Sequence, residues 1–170
     1  AITRADDEFA ALMVANSWLG EHRKSYGQLY QKIRTTRSMN YGDYSYIEWY
    51  DRGSRVQLPL PHVPRHTNYF SIWIRPVQIA EQLRQQYPEL GEVEVGHAHF
   101  AFRLAVRELD MMIEKGLSQE DFELTRQFLR SYIKLYIQTP ERQLGFLMDS
   151  RFFNRQDYIS ELDQLLAALT

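Results

Sequence analysis

Arg34 and Tyr41 stand seven residues apart in the stretch Gln28 to Tyr50, QLYQKIRTTRSMNYGDYSYIEWY. The first is a guanidinium that stays charged and presents five donors in a rigid fork; the second is a phenol that donates and accepts. Together they suit the holding of an extended peptide or an oxyanion. The same two residues also suit a plainer arrangement, an arginine favoured at a helix C-terminus by the dipole and a strand tyrosine packed in a core. The histidines offer less. His62 and His66 have i, i+4 spacing, but Pro64 lies between them and prevents the helix that would bring both imidazoles to one face. His97 and His99 would face together on a strand, whereas the surrounding periodicity is helical and splays them by about 200°. Glu108, Asp110 and Glu114 spread around a helix flank and read as a wetted face. A glycine-rich phosphate loop and a G-x-S-x-G elbow are missing, so nucleotide binding and α/β-hydrolase chemistry find no support.

Composition narrows the classes further. A chain of 170 residues, 44% hydrophobic and 14% aromatic, has the length of one domain and ample material for a core. Its net charge of −2, with both signs interspersed, supplies no broad basic field, which argues against nucleic acid as a partner. The absence of cysteine removes thiol catalysis, thiolate metal sites and disulfides, and leaves the compartment open. No apolar run reaches the roughly 18 residues of a membrane span. No positive flank precedes an apolar stretch at the N-terminus, and a start at Ala1 suggests a processed or excised piece.

The elements that must position Arg34 and Tyr41 follow from periodicity. Asp6 or Asp7 can cap a helix with Phe9, Leu12, Met13, Asn16 and Leu19 on its apolar side, stopped near Gly20. A second helix is expected over Lys24 to Ile33, then a tight turn and a strand from Tyr41 to Tyr50, closed by the turn signal Asp51 to Ser54. Pro59, Pro61 and Pro64 make 56–67 an irregular loop, and a second strand covers Tyr69 to Arg75. Helices are expected from Pro76 to Gln86 and from His97 to Lys115, the latter ended by Gly116. Further helices run from Ser118 to about Gln138, from Thr139-Pro140 onwards, and from Asp157 to Leu169. Strands first and helices afterwards argue for α+β, an antiparallel sheet with helices packed on one face. The dense aromatics Tyr41, Tyr44, Tyr46, Trp49, Tyr50, Tyr69, Phe70 and Trp73 are core or cross-strand packing, or in part a groove in which an extended peptide adds to the sheet edge.

The string LYQKIRTTRSMNY resembles the turn that in the pitrilysin and insulin-degrading-enzyme family of zinc metallopeptidases reads roughly "LFQEIREKRGLAY", with the same interval from Arg to Tyr. AITRADDEFAALMVANSWLG is similar to the family's "DpDyyALxlLnxiLGG" helix, and ELDMMIEKGLSQEDFELTRQFL to its "eLeklreeGvteeEleraKxxl" helices. Where the family carries glycines after the first helix, this chain keeps Gly20 and continues with Glu21, His22 and Arg23. The turn glycine is replaced within Ser38-Met39-Asn40, where Asn40 can adopt a left-handed conformation.

The resemblance implies a non-catalytic domain of the second-half type, a metallopeptidase-half-like sandwich. It implies residues 1–170 as one domain, a fragment of a longer protein that lacks the family's first strand. The family's zinc motif, H-x-x-E-H, is absent, so neither a catalytic residue nor a metal ligand is expected in this chain. Zinc is expected in a homologous zinc-bearing domain or subunit, which would be the partner, with a peptide as substrate. Arg34 and Tyr41 would then be the substrate-binding residues, reaching across a closed chamber. The alternative implied by the same fold is a proteolytically inactive assembly domain, with Arg34 as a salt-bridge residue.

Overall fold

The computed structural model describes residues 2–22, 24–50, 58–61 and 65–170. Arg23, the turn at Asp51 to Ser54, His62 and Pro64 lie outside the described residues. The architecture is α+β, helices with a two-stranded antiparallel sheet. The chain divides into two compact units, one made of 1–18, 46–71 and 117–170, the other of 19–45 and 72–116.

The first unit is mainly helical. Helix α1, Phe9–Gly20, starts on the backbone carbonyls of Asp6 and Asp7. The Asp6 carboxylate does not cap it; it takes the Thr3 N–H at 2.7 Å and closes the turn before the helix. Of the expected face Phe9 and Leu19 are buried, together with Ala10, Val14 and Ser17, while Leu12, Met13 and Asn16 are half-buried, so the face is rotated in part from the one expected. Three later helices complete this unit: α4, Gln119–Tyr132, which runs into a 3₁₀ segment at Ile133–Ile137; α5, Pro140–Phe152; and α6, Tyr158–Ala168. Their starts are as the sequence indicates. Ser118 caps α4 by accepting the Asp121 N–H, Thr139 caps α5 ahead of Pro140, and Asp157 caps α6. Leu129, Tyr132, Ile133, Tyr136, Phe146, Tyr158, Ile159, Leu162 and Leu166 join Phe9 and Val14 in one apolar cluster.

The second unit carries the sheet. Strand β1, Asn40–Tyr46, pairs with β2, Ser71–Pro76. Strand β1 ends four residues earlier than expected because Ile47 enters the apolar cluster of the first unit and Glu48 binds Arg4 there. Pro76 ends β2 rather than opening a helix, and the Val77 N–H extends the ladder to the Met39 carbonyl. Helix formation waits until α2, Glu81–Gln86. Helix α3 runs over Leu90–Lys115, seven residues longer at its start than the expected His97. Gly91 and Gly96 do not interrupt it, since each lies in open space and the intrahelical bonds continue through both. Gly116 ends it with φ 67°, the left-handed conformation that favours glycine. Glu108 is buried rather than wetted, unlike Asp110 and Glu114.

Candidate functional site

The expected helix over Lys24 to Ile33 begins later and has a different form. Gly27 sits back to back with Gly20, where an added Cβ would come within 2.9 Å of the Gly20 Cα, so the chain turns there and becomes helical only at Gln28. Tyr30–Thr35 then forms a π-helical turn, anchored by the buried Leu29 and Ile33 and packed on α3. Wider turns of this kind are rare and occur frequently at functional sites. Here the extra width is closed by Ser38, whose φ of 53° takes the left-handed conformation expected of Asn40. The Ser38 N–H bonds to the Arg34 carbonyl and the Met39 N–H to that of Ile33, so helix end and strand start are fixed together.

This turn delivers Arg34 to the strand. Its Nη1 donates to the backbone carbonyl of Tyr41 at 2.9 Å, and its guanidinium lies 5.0 Å from the centroid of the Tyr30 ring one helical turn earlier. The seven-residue interval therefore joins Arg34 to the Tyr41 main chain and leaves the phenol out of the pairing. Tyr41 is 60% exposed, neither a core tyrosine nor a cross-strand plug. A cation fixed on the main chain and an exposed tyrosine side chain thus meet at the first residues of β1. One guanidinium N–H is committed to Tyr41, and the rest of the fork can meet a ligand's carbonyl or carboxylate.

Behind this surface lies a buried polar pair. Asp43 is completely buried on β1, and Asn40, almost as buried, donates its side-chain Nδ2 to Asp43 Oδ1. Burial pushes the Asp43 carboxyl up to about 6, against the opposing pull of the Asn40 hydrogen bond and the Arg34 charge. Neither Asp43 nor Tyr30 was legible as part of the site. The signal for Tyr30 is its i, i+4 spacing to Arg34; for Asp43 it is an acid inside an aromatic, β-favouring run, where a charge has no solvent to face.

The aromatics divide. Tyr44 on β1 stacks on Trp73 of β2 with centroids 5.8 Å apart, as cross-strand packing requires, and His22 packs against Tyr44 at 5.3 Å. Tyr46 is buried; Tyr69 and Phe70 are exposed. His66 is exposed and lies 4.5 Å from the Phe152 ring, while His97 and His99 are both exposed along α3. Among the described residues no cluster of three His, Cys, Asp or Glu side chains is placed to hold a metal ion, so these residues do not fit a resident zinc site. Among the described residues no helix is long and apolar enough to cross a membrane.

No family model matches the chain, and no curated protein matches it in sequence. Similarity appears in the fold. The chain is similar to a "putative zinc protease" from Bordetella pertussis Tohama I, with TM-score 0.61 and 12% identity over 99% of this chain and 76% of that one. It is also similar to a conserved protein from Enterococcus faecalis V583, with TM-score 0.64 and 15% identity over 99% of this chain. It spans 32% of that second chain's length. At identities so low these similarities speak for a shared fold alone.

Proposed function

We propose that the chain is a non-catalytic, substrate-binding and chamber-closing domain of a pitrilysin-type zinc metallopeptidase. Its partner is a homologous zinc-bearing domain or subunit, and its substrate a peptide. The observation that carries this reading is the pinning of Arg34 against the Tyr41 carbonyl with the Tyr41 phenol exposed beside it. The zinc-protease-like fold supports it from a second direction. The π-helical turn holds Arg34 so that its remaining N–H groups bind a carbonyl or carboxylate of the peptide, and the Tyr41 hydroxyl donates to the charge that develops on the scissile carbonyl. Metal and general base belong to the partner.

The assembly reading rests on a different observation. Leu144, Leu147, Met148 and Phe152 form an exposed apolar stripe along α5, the kind of surface that a permanent interface would cover. The experiment that separates the two uses the complete parent protein: zinc content by elemental analysis, with cleavage of a quenched fluorogenic peptide measured with and without chelator. Stoichiometric zinc and chelator-sensitive cleavage are expected. Neither zinc nor cleavage would move the function to partner binding.

A further inference from the structure

The Asn40–Asp43 pair contains a conflict that a single proton resolves. Asn40 Nδ2 already donates to Asp43 Oδ1, and the two remaining side-chain oxygens, Asn40 Oδ1 and Asp43 Oδ2, are buried acceptors that no donor reaches among the described residues. A buried polar atom without a partner is costly, and two side by side are rarely left so. With a proton on Oδ2 the carboxyl becomes a donor, and one of the stranded acceptors disappears. When the proton leaves for solvent, an unsolvated carboxylate remains, and its nearest compensation is a cation.

That cation is Arg34. This unit carries other ionisable groups, among them Lys32 on the same turn and Arg37 just after it, Glu21, His22 and Lys24 after α1, Arg75 on β2 and Glu108 on α3; the charge that acts on Asp43 is Arg34 of the π-helical turn. Among the described residues no direct ion pair joins the two; one Arg34 N–H is on the Tyr41 carbonyl and the guanidinium lies against the Tyr30 ring. The guanidinium is held on the carbonyl of Tyr41, two residues before Asp43 on the same strand, and its charge acts on the buried carboxyl from there.

We propose that Asp43 is a positioning residue for Arg34: protonated, it leaves the guanidinium against the Tyr41 carbonyl and open to ligand; ionised, it draws the guanidinium inward. The consequence for a peptide rests on the reading of Arg34 as the substrate-holding cation. On that reading the site binds carbonyl and carboxylate groups best in mildly acidic solution, and Asp43 sets the pH at which that grip relaxes.

The test is an NMR titration of the labelled 170-residue chain between pH 4 and 8, following the Asp43 carboxyl carbon and the Arg34 Nε–H. Both are expected to move with one shared midpoint, near 6. In Asp43→Asn the Arg34 transition should vanish, and in Arg34→Gln the Asp43 midpoint should rise by about one pH unit. The second variant leaves the buried pair untouched, so the test survives if Asp43→Asn does not fold. A midpoint near 4 for Asp43, or an Arg34 transition that persists in Asp43→Asn, would overturn the proposal. The titration needs no peptide. Coupled midpoints in a protein that binds no peptide would keep the positioning role and remove the function proposed for the site.

Discussion

A carboxyl with no water around it makes folding depend on pH in a direction opposite to that of an ion-paired acid. Asp43 in the folded chain keeps its proton up to about pH 6, whereas the unfolded chain releases it near the ordinary 3.8. Between those values the folded state binds more protons, so its stability is complete below the lower one and is lost as pH rises through the upper. Wild-type chain is therefore expected to lose on the order of 2 kcal/mol relative to Asp43→Asn between pH 3.5 and pH 7.5, measured by urea unfolding of both proteins. A difference that stays constant over that range would mean that Asp43 titrates alike in the folded and unfolded chain. At Gly27 the decisive factor is space. An added methyl would meet backbone at Gly20 Cα and Leu19 O rather than a flexible side chain. Gly27→Ala is thus expected to cost about 1–3 kcal/mol, read as a lower urea midpoint, because the turn that feeds Arg34 must shift.

The helices of the second half are held by local chemistry, which is why they could be read from sequence. Asp157 accepts from the N–H groups of Ile159 and Ser160, while Glu161 reaches back to the N–H groups of Gln156 and Asp157. Asp157→Ala is expected to cost about 1 kcal/mol, measured by thermal melting, and an unchanged melting temperature would show that the last helix is held by packing alone. Ser118, Thr139 with Pro140, and Gly116 act within a turn of their own positions, and each was recognisable from residue type. The π-helical turn and the early end of β1 were not, because they depend on contacts far away in sequence. Gly27 against Gly20 shortens the helix, and the pull of Arg4 on Glu48, 44 residues apart, ends the strand. The Arg34–Tyr41 interval was legible as a pair; that the bond would go to the Tyr41 carbonyl depends on the wider helical turn, which residue types alone do not announce.

Over the whole first unit, one arginine joins distant parts of the chain. Arg4 is 3% exposed and forks onto Glu48 at 2.8 and 2.7 Å, with Asp149 at 3.5 Å and the rings of Phe146 and Tyr158 at 5.6 and 5.4 Å from its guanidinium. Arg155 then donates to the backbone carbonyls of Arg4 and Ala5 and pairs with Asp7, fastening the two ends of this unit together. Removing one member of such a set leaves carboxylates buried without a cation. Arg4→Met is accordingly expected to cost about 3–5 kcal/mol by denaturant unfolding, far more than a surface ion pair such as Arg130–Asp163 would. The central claim, however, concerns what the molecule presents at Tyr41. Because that side chain is exposed, removing its hydroxyl should leave folding intact while removing the group that the proposed function makes the donor to the oxyanion. The direct measurement is peptide turnover by the complete parent assembly carrying Tyr41→Phe, with zinc content and melting temperature matched to the wild type. A fall of about 30- to 1,000-fold is predicted, the loss that follows removal of one oxyanion donor; turnover equal to the wild type would contradict the account.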